Sequence, residues 1–504
     1  MRVTATRTPR SAGASPAATL PVATLPMSLP KASRRAVRPP SLNTLFTLVF
    51  ALFGWGIGIK RLSDNSFFLH LRTGGRILDH GIPHADPFSY VAKGTPWVAQ
   101  SWLAEVIYGG LDRLAGPFAI RVFGGLVGAA ITVLAFRLAL RLAHDRVRAV
   151  LVTIAALAAF FALWSERPLT LAVLFFVLLL WLVEIPDGAL GRRELVALPV
   201  GFWLWANVHG TFALGFAFLG LHLLGRWIEG HRPWEGRERR LALGGLLAFL
   251  VCFLNPYGAS LVTFPVNLMR RGGALEGVTE WTSPDFHTVA GIAFGLWVVV
   301  FVVVLARARH RVTVRDLVVT IPFLVLGVWA LRNTALAALV GLPVVARAVA
   351  IPRTPEGNRL RIGSVFAALL GVMAVALGVL AAGQPDFNFD SYPVKAMRAV
   401  ERQGLLGARI FTDDADAGYV ILRYGTDQPV FMDDRFDMYP LSVNRDFKTV
   451  SYGTPGWDRV LRERDVEVVV WARDGVLSEL LRRDGRWRVT YEDRHFVVLV
   501  RDDI

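Results

Sequence analysis

Apolar runs long enough to cross a lipid bilayer recur along this chain, and that recurrence limits the fold before any motif is read. A bilayer's hydrocarbon core takes about 20 helical residues. Runs of that order lie at 42–59, 118–142, 147–164, 168–185, 211–228, 289–306 and 362–382. Shorter or tilted candidates at 195–207, 241–254, 316–331 and 334–349 bring the expected count to about eleven spans. With 54% hydrophobic and 19% charged residues in 504, the chain is too apolar for a soluble globule of this size. The single Cys252, inside an apolar run, excludes a disulfide framework and a cysteine-based metal site.

The formal charge of +15 does not indicate nucleic-acid binding, because it is spread unevenly. Residues 384–504 carry 18 Lys/Arg against 22 Asp/Glu, leaving 37 basic and 18 acidic groups for the rest. Residues 1–41 hold seven of those bases, no acid, and much Ala, Pro, Ser and Thr, which reads as a disordered cytoplasmic tail without a cleaved signal. With the tail inside, the inner loops are 137–148, 186–194, 226–240, 307–315 and 347–361. Tail and inner loops then hold 26 of the 37 bases, as the positive-inside rule requires. The expectation is a polytopic α-helical plasma-membrane protein, N-terminus in and C-terminus out. Its membrane domain is 42–383, its first external loop 60–117, and its soluble extracytoplasmic domain 384–504.

The same topology gathers the polar interruptions on the outer side: Asp64–Gln100, "SERP" at Ser165–Pro168, "NVHG" at Asn207–Gly210, "LNPYG" at Leu254–Gly258, "EWTSPDF" at Glu280–Phe286 and "RNT" at Arg332–Thr334. Inner loops read as plain Arg-rich connectors. Irregular polar backbone near membrane depth is tolerated where it lines a cavity, so a site at the outer face is expected. Beyond Pro385 the pattern alternates between helix ("KAMRAVERQG", "AGYVILRYG", "GWDRVLRERDV", "VLSELLRRDG") and strand ("ARIFTDD", "QPVFMDD", "EVVVWA"), with "WRVTYEDRHFVVLVR" as a closing hairpin. This predicts a small, mainly parallel α/β sheet; no Gly-rich phosphate loop opens its helices.

Asp64 suits a general base for an acceptor hydroxyl, or a solvated helix-end acid. His70 stands six residues on. Arg72, Arg76, Arg167 and Arg332 are outer cations able to hold a phosphate bidentately or to snorkel toward headgroups. "WVAQSWLAEVIYGGLDRLAG", Trp97–Gly116, predicts an interfacial helix carrying Glu105, a second carboxylate for the site or a polar-face residue. His209 and Glu280 complete the substrate-binding candidates, although His209, with Asn207, reads first as a helix-end cap and turn former. His80, His84 and Asp86 read as turn residues that shape the loop.

The stretch "DNSFFLHLRTGGRILDHGIPHADPFSY", followed by "PWVAQSWLAEVIYGGLDRL" and then by "NVHG", "LNPYG", "EWTSPDF" and "VFMDDRFDMYP" in order, resembles a group of bacterial multispanning membrane proteins. Through that group it is similar to the GT-C glycosyltransferases, which include protein O-mannosyltransferases, aminoarabinose transferases and the catalytic subunit of oligosaccharyltransferase. The resemblance implies a polyprenyl-phosphate-linked sugar donor entering from membrane lipid, an extracytoplasmic acceptor, and Asp64 as catalytic base with His70 beside it. Many such enzymes carry two adjacent acids where this chain has Asp64 and Asn65, so the cofactor, a divalent metal or none, stays open. A reading from another class is a non-catalytic scaffold or envelope-assembly protein, docking a protein partner through 384–504 and its "FMDDRFDMYP" segment.

Overall fold

Each of the eleven apolar runs forms a helix, and the apolar side chains sort by depth. Thr334–Ala348 is buried almost along its whole length, whereas Ile362–Ala382 turns Val365, Leu369, Val372, Val375 and Val379 outward. Four helices among the described residues are long and apolar enough to cross a membrane: Trp102–Ala143, Val289–Arg307, Leu331–Ala348 and Ile362–Ala382. Leu42–Gly58, Pro168–Glu184, Glu194–Val208 and Phe212–Ile228 are shorter and equally apolar. A contiguous apolar exterior of this extent needs lipid around it. The computed structural model describes residues 39–185, 194–272, 278–352 and 362–504. Nearly all of the basic tail, and most of the connectors 186–194 and 347–361, lie outside those residues.

The first helix, Leu42–Gly58, starts at Ser41, whose Oγ accepts from the Thr44 backbone N–H at 3.2 Å. It crosses the second limb of the long helix at Gly54 and Gly58, where a Cβ would come within 2.2 Å of the Gly128 and Gly124 carbonyl oxygens respectively. Two facing small-xxx-small stripes thus bring the backbones into contact. The long helix itself breaks at Ala115 and Gly116 (φ 70°), just before Pro117. That break separates the expected interfacial segment, here helical from Trp102, from the span that follows.

The connectors on the expected inner side are more than plain links. Arg315 bridges Glu184 and Asp316, Arg347 bridges the same two acids, and Arg315 Nε donates to His222 Nδ1 at 2.9 Å. Glu184 and Asp316 are almost fully buried, so these arginines satisfy charges that would otherwise be stranded among helix ends.

At the C-terminal end a four-stranded sheet has the order β1-β2-β4-β3, with β1 Ile410–Phe411, β2 Val468–Ala472, β3 Trp487–Glu492 and β4 Phe496–Arg501. Only β1 and β2 pair parallel; β2–β4 and β4–β3 are antiparallel. The expected parallel majority fails because β4 inserts antiparallel beside β2, although the closing hairpin forms as expected through a tight turn. There Asp493 Oδ1 accepts from the N–H groups of His495 and Phe496 at 2.8 and 2.9 Å. The expected strand in "QPVFMDD" shrinks to bridges at Val430, which lies between Ile410 and Ser89 of the first external loop. Residues 40–504 form one compact unit.

Candidate active site

Residues 60–117, expected to form the first external loop, are more regular than their sequence suggests. Asn65–His80 is a 16-residue helix that buries Phe67, Phe68, Leu69, Leu71, Thr73, Gly74 and Ile77. Asp64 is its N-cap: Oδ1 accepts from the Phe67 N–H at 2.9 Å, satisfying one of the free amides of the first turn.

The capping carboxylate is also the centre of an ion-pair chain. Arg167 Nε donates to both Oδ1 and Oδ2 of Asp64 at 2.8 Å, and Arg167 Nη1 pairs with Glu280. Pro168 explains Arg167's place: a residue before proline is driven into extended backbone (φ −64°, ψ 159°), which lets it stand as the cap of Pro168–Glu184. Glu280 lies in the short turn Thr279–Trp281, and the Trp281 ring carries the Arg332 guanidinium at 4.5 Å from its centroid. The Leu331 N–H donates to the Thr282 carbonyl at 2.9 Å, tying those two loops together.

His70, one turn after Ser66, pairs through Nδ1 with Glu105 Oε1 at 2.8 Å rather than with Asp64. Glu105 is buried, and its Oε2 has no hydrogen-bond partner. The "NVHG" turn docks beside it: Trp102 Nε1 donates to Asn207 Oδ1 at 2.7 Å, and the Gly210 N–H donates to Gln100 Oε1 at 3.1 Å. The His209 ring is buried and accepts from the Thr211 N–H at 3.2 Å. Burial, with Arg332, His70 and Arg167 adding to it, keeps His209 well below the usual imidazole range. Burial works against the charge on Arg167 too, but Asp64 and Glu280 outweigh it and raise its pKa.

Asp64, Arg167 and Glu280 thus form one ion-pair chain with Arg332 on the adjoining Trp281, His70 and Glu105 form a second pair, and His209 lies within reach of the charges of Arg332, His70 and Arg167. Arg72 does not join them. It points to the opposite side of its helix and lies against Gly425. His84 meets Tyr257 edge-on and Asp86 caps the N–H groups of Phe88 and Ser89, the shaping roles expected of them.

Two acids at the site escaped the sequence reading. Glu166 sits inside "SERP", and burial reinforced by the Asp64 charge raises it to about 7. Asp434 comes from the C-terminal part and accepts from Asn65 Nδ2 at 3.3 Å and from Ser66 Oγ. Burial and the neighbouring Asp433 raise it to about 6, against the opposing charge of Arg167. The acidic run at 433–437 was the available signal, but its reach to residue 66 was not.

The two residues flanking Asp434 lock the loop in place. Arg435 bonds Asp433 through Nε at 2.8 Å and Asp86 through Nη2 at 2.7 Å, and its guanidinium lies 4.4 Å from the Trp97 ring centroid. Arg435, Asp86 and Asp433 are all buried, so this segment faces the chain's own loop and is not an outward docking surface. Among the described residues no three His, Cys, Asp or Glu side chains gather as ligands, Asp64 spends both oxygens on Arg167, and Asn65 turns to Asp434.

No family model and no curated protein matches the sequence. Among solved structures the chain is similar to ArnT from Cupriavidus metallidurans bound to undecaprenyl phosphate, with a TM-score of 0.53 and 14% identity over 90% of this chain and 97% of that one. It is also similar to the apo oligosaccharyltransferase of Archaeoglobus fulgidus, with a TM-score of 0.53 and 12% identity over 85% of this chain and 69% of that one. The fold is that of the GT-C glycosyltransferases, a class of membrane enzymes. The resemblance read from the sequence holds at the level of fold.

Proposed function

We propose that this protein is a plasma-membrane glycosyltransferase that moves a sugar from a polyprenyl-phosphate-linked donor to an acceptor hydroxyl outside the cell. The observation that carries the proposal is the meeting of Asp64, Arg167 and Glu280, which come from three separate interruptions of the apolar helices. The positive-inside balance supports about eleven spans with residues 384–504 outside.

Arg167, held between two carboxylates, and Arg332, stacked on Trp281, are the cations that receive the donor phosphate. A phosphate competing for Arg167 frees Asp64 to accept the acceptor's proton. The acceptor oxygen then attacks the anomeric carbon from the face opposite the phosphate. The bond from that carbon to the phosphate oxygen breaks, its electron pair leaves on the phosphate, and the two guanidiniums stabilise the charge that develops there. Inversion at the anomeric carbon follows. His70, oriented by Glu105, and His209 bind the sugar or acceptor hydroxyls.

The test is transfer of a labelled sugar from its polyprenyl phosphate in proteoliposomes. Asp64→Asn keeps a capping side chain and removes the base, so turnover is expected to fall by about a hundredfold to ten-thousandfold. Full activity in that variant ends the assignment of Asp64.

A further inference from the structure

The Asn65–His80 helix has a second polar face. Ser66 and His70 point toward the site above, whereas Arg72, Arg76 and Asp79 lie roughly 100–160° around the axis. These residues line a cavity of ≈ 800 Å³ between this helix and two helices of the C-terminal part, Val394–Arg402 and Asp414–Tyr424. From the far side the cavity is lined by Arg398, Arg423, Tyr419 and Phe389.

The guanidiniums are uncommitted. Arg121, Arg167 and Arg435 each hold a carboxylate. No hydrogen bond or ion pair among the described residues engages the side chains of Arg72, Arg76, Arg398 or Arg423, and Arg76 Nε is buried without a partner. Of the acids on the wall, Asp79 is neutralised by Arg113 and Glu401 accepts from the Tyr424 hydroxyl at 3.4 Å, leaving Asp112 with no such bond. The wall keeps a positive surplus. Arg72 is positioned by a backbone feature: Gly425 sits at φ +61°, and a Cβ there would come within 2.1 Å of Arg72 Nη2. Only glycine leaves that guanidinium its place.

We infer that this cavity binds an anionic saccharide, a sugar carrying phosphate or carboxylate groups. Arg72, Arg76, Arg398 and Arg423 hold the charge, while Tyr419 or Phe389 covers an apolar sugar face. Planar guanidiniums match the oxygens of phosphate and carboxylate, and an aromatic wall removes the sugar's C–H face from water. The cavity also reaches Pro117, where the long helix turns into the membrane, and Leu114 beside it is 80% exposed. A lipid-borne saccharide and a free one thus share the same recognition chemistry. Assigning the cavity to the acceptor rests on the transferase function proposed above; anion binding itself does not.

The experiment uses the full chain in phosphatidylcholine nanodiscs, titrated calorimetrically with glucose 6-phosphate, glucuronate and glucose. A parallel arm uses nanodiscs doped with phosphatidylinositol 4-phosphate, a phosphorylated ring on a lipid. Binding of an anionic probe at least about tenfold tighter than glucose is expected, with a further loss of about tenfold or more in Arg398→Gln/Arg423→Gln. The two substituted residues are exposed, and an unchanged melting temperature checks the fold. Binding in the doped arm alone assigns a lipid source, and binding of the soluble probes assigns a free one. Equal binding by parent and variant, equal binding of glucose, or no binding of any probe overturns the inference. Asp64-dependent donor turnover, measured on the same preparations, is a separate readout, so either proposal can fail while the other stands.

Discussion

Arg167 donates one N–H to both oxygens of Asp64, at 2.8 Å each, while a second nitrogen of the same guanidinium holds Glu280. A cation so placed is a switchable partner, since a phosphate offering more oxygens competes with both carboxylates. Lysine keeps the charge but loses the planar fork. Arg167→Lys is therefore expected to raise the KM for the lipid-linked donor by about tenfold to a hundredfold. Steady-state kinetics in proteoliposomes check this, and an unchanged KM removes Arg167 from donor binding.

His70 and the buried Glu105 pair at 2.8 Å, so their effects belong together. His70→Ala, Glu105→Leu and the double variant are expected to lose similar activity. The coupling energy in that cycle should be about 1.5–3 kcal/mol, as for a hydrogen bond to a charged group. Additive losses would show that the two side chains act independently.

Removing Arg435 strands Asp86 and Asp433 in a buried setting. Arg435→Leu should cost about 3–5 kcal/mol, seen as a lower Tm and faster proteolysis of the outer part. Adding Asp86→Asn and Asp433→Asn should recover much of it. Were the triple variant no better than the single one, the stranded charges would not be the cause.

Glu166 and Asp416 are raised by burial to about 7 and about 8, Glu166 with help from Asp64 and Asp416 from Asp413. Both bind protons more tightly folded than unfolded. Their contribution is fully present below about pH 4 and is lost as pH climbs through 7 and 8. Glu166→Gln and Asp416→Asn should melt at higher temperature than the parent at pH 8 and near the parent at pH 4. Thermal scans in detergent across that range decide it; a larger gap at pH 4 reverses the assignment.

The apolar runs were legible because membrane spans are written in local composition, and the outer motifs were legible because they interrupt those runs. Asp64, Arg167, Glu280 and Arg332 stood out that way. Their pairing was not legible, since Asp64 finds Arg167 103 positions away. The Asn65–His80 helix was hidden for a different reason: His70, Arg72, the Gly74–Gly75 pair and Arg76 dilute its apolar stripe, and its buried face is set by what packs on it. The closing hairpin was legible, but the place of its second strand was not: β4 lies antiparallel to β2, a long-range pairing that strand alternation does not reveal.

The bridge between Ser89 and Val430 has a consequence in time. Together with Asp86 and Arg435, 349 positions apart, it joins a segment made early to one made much later. The contacts of Asp86 with Arg435 and of Ser66 with Asp434 therefore form only once the C-terminal part has been made, whereas the chain of Asp64, Arg167 and Glu280 is complete without it.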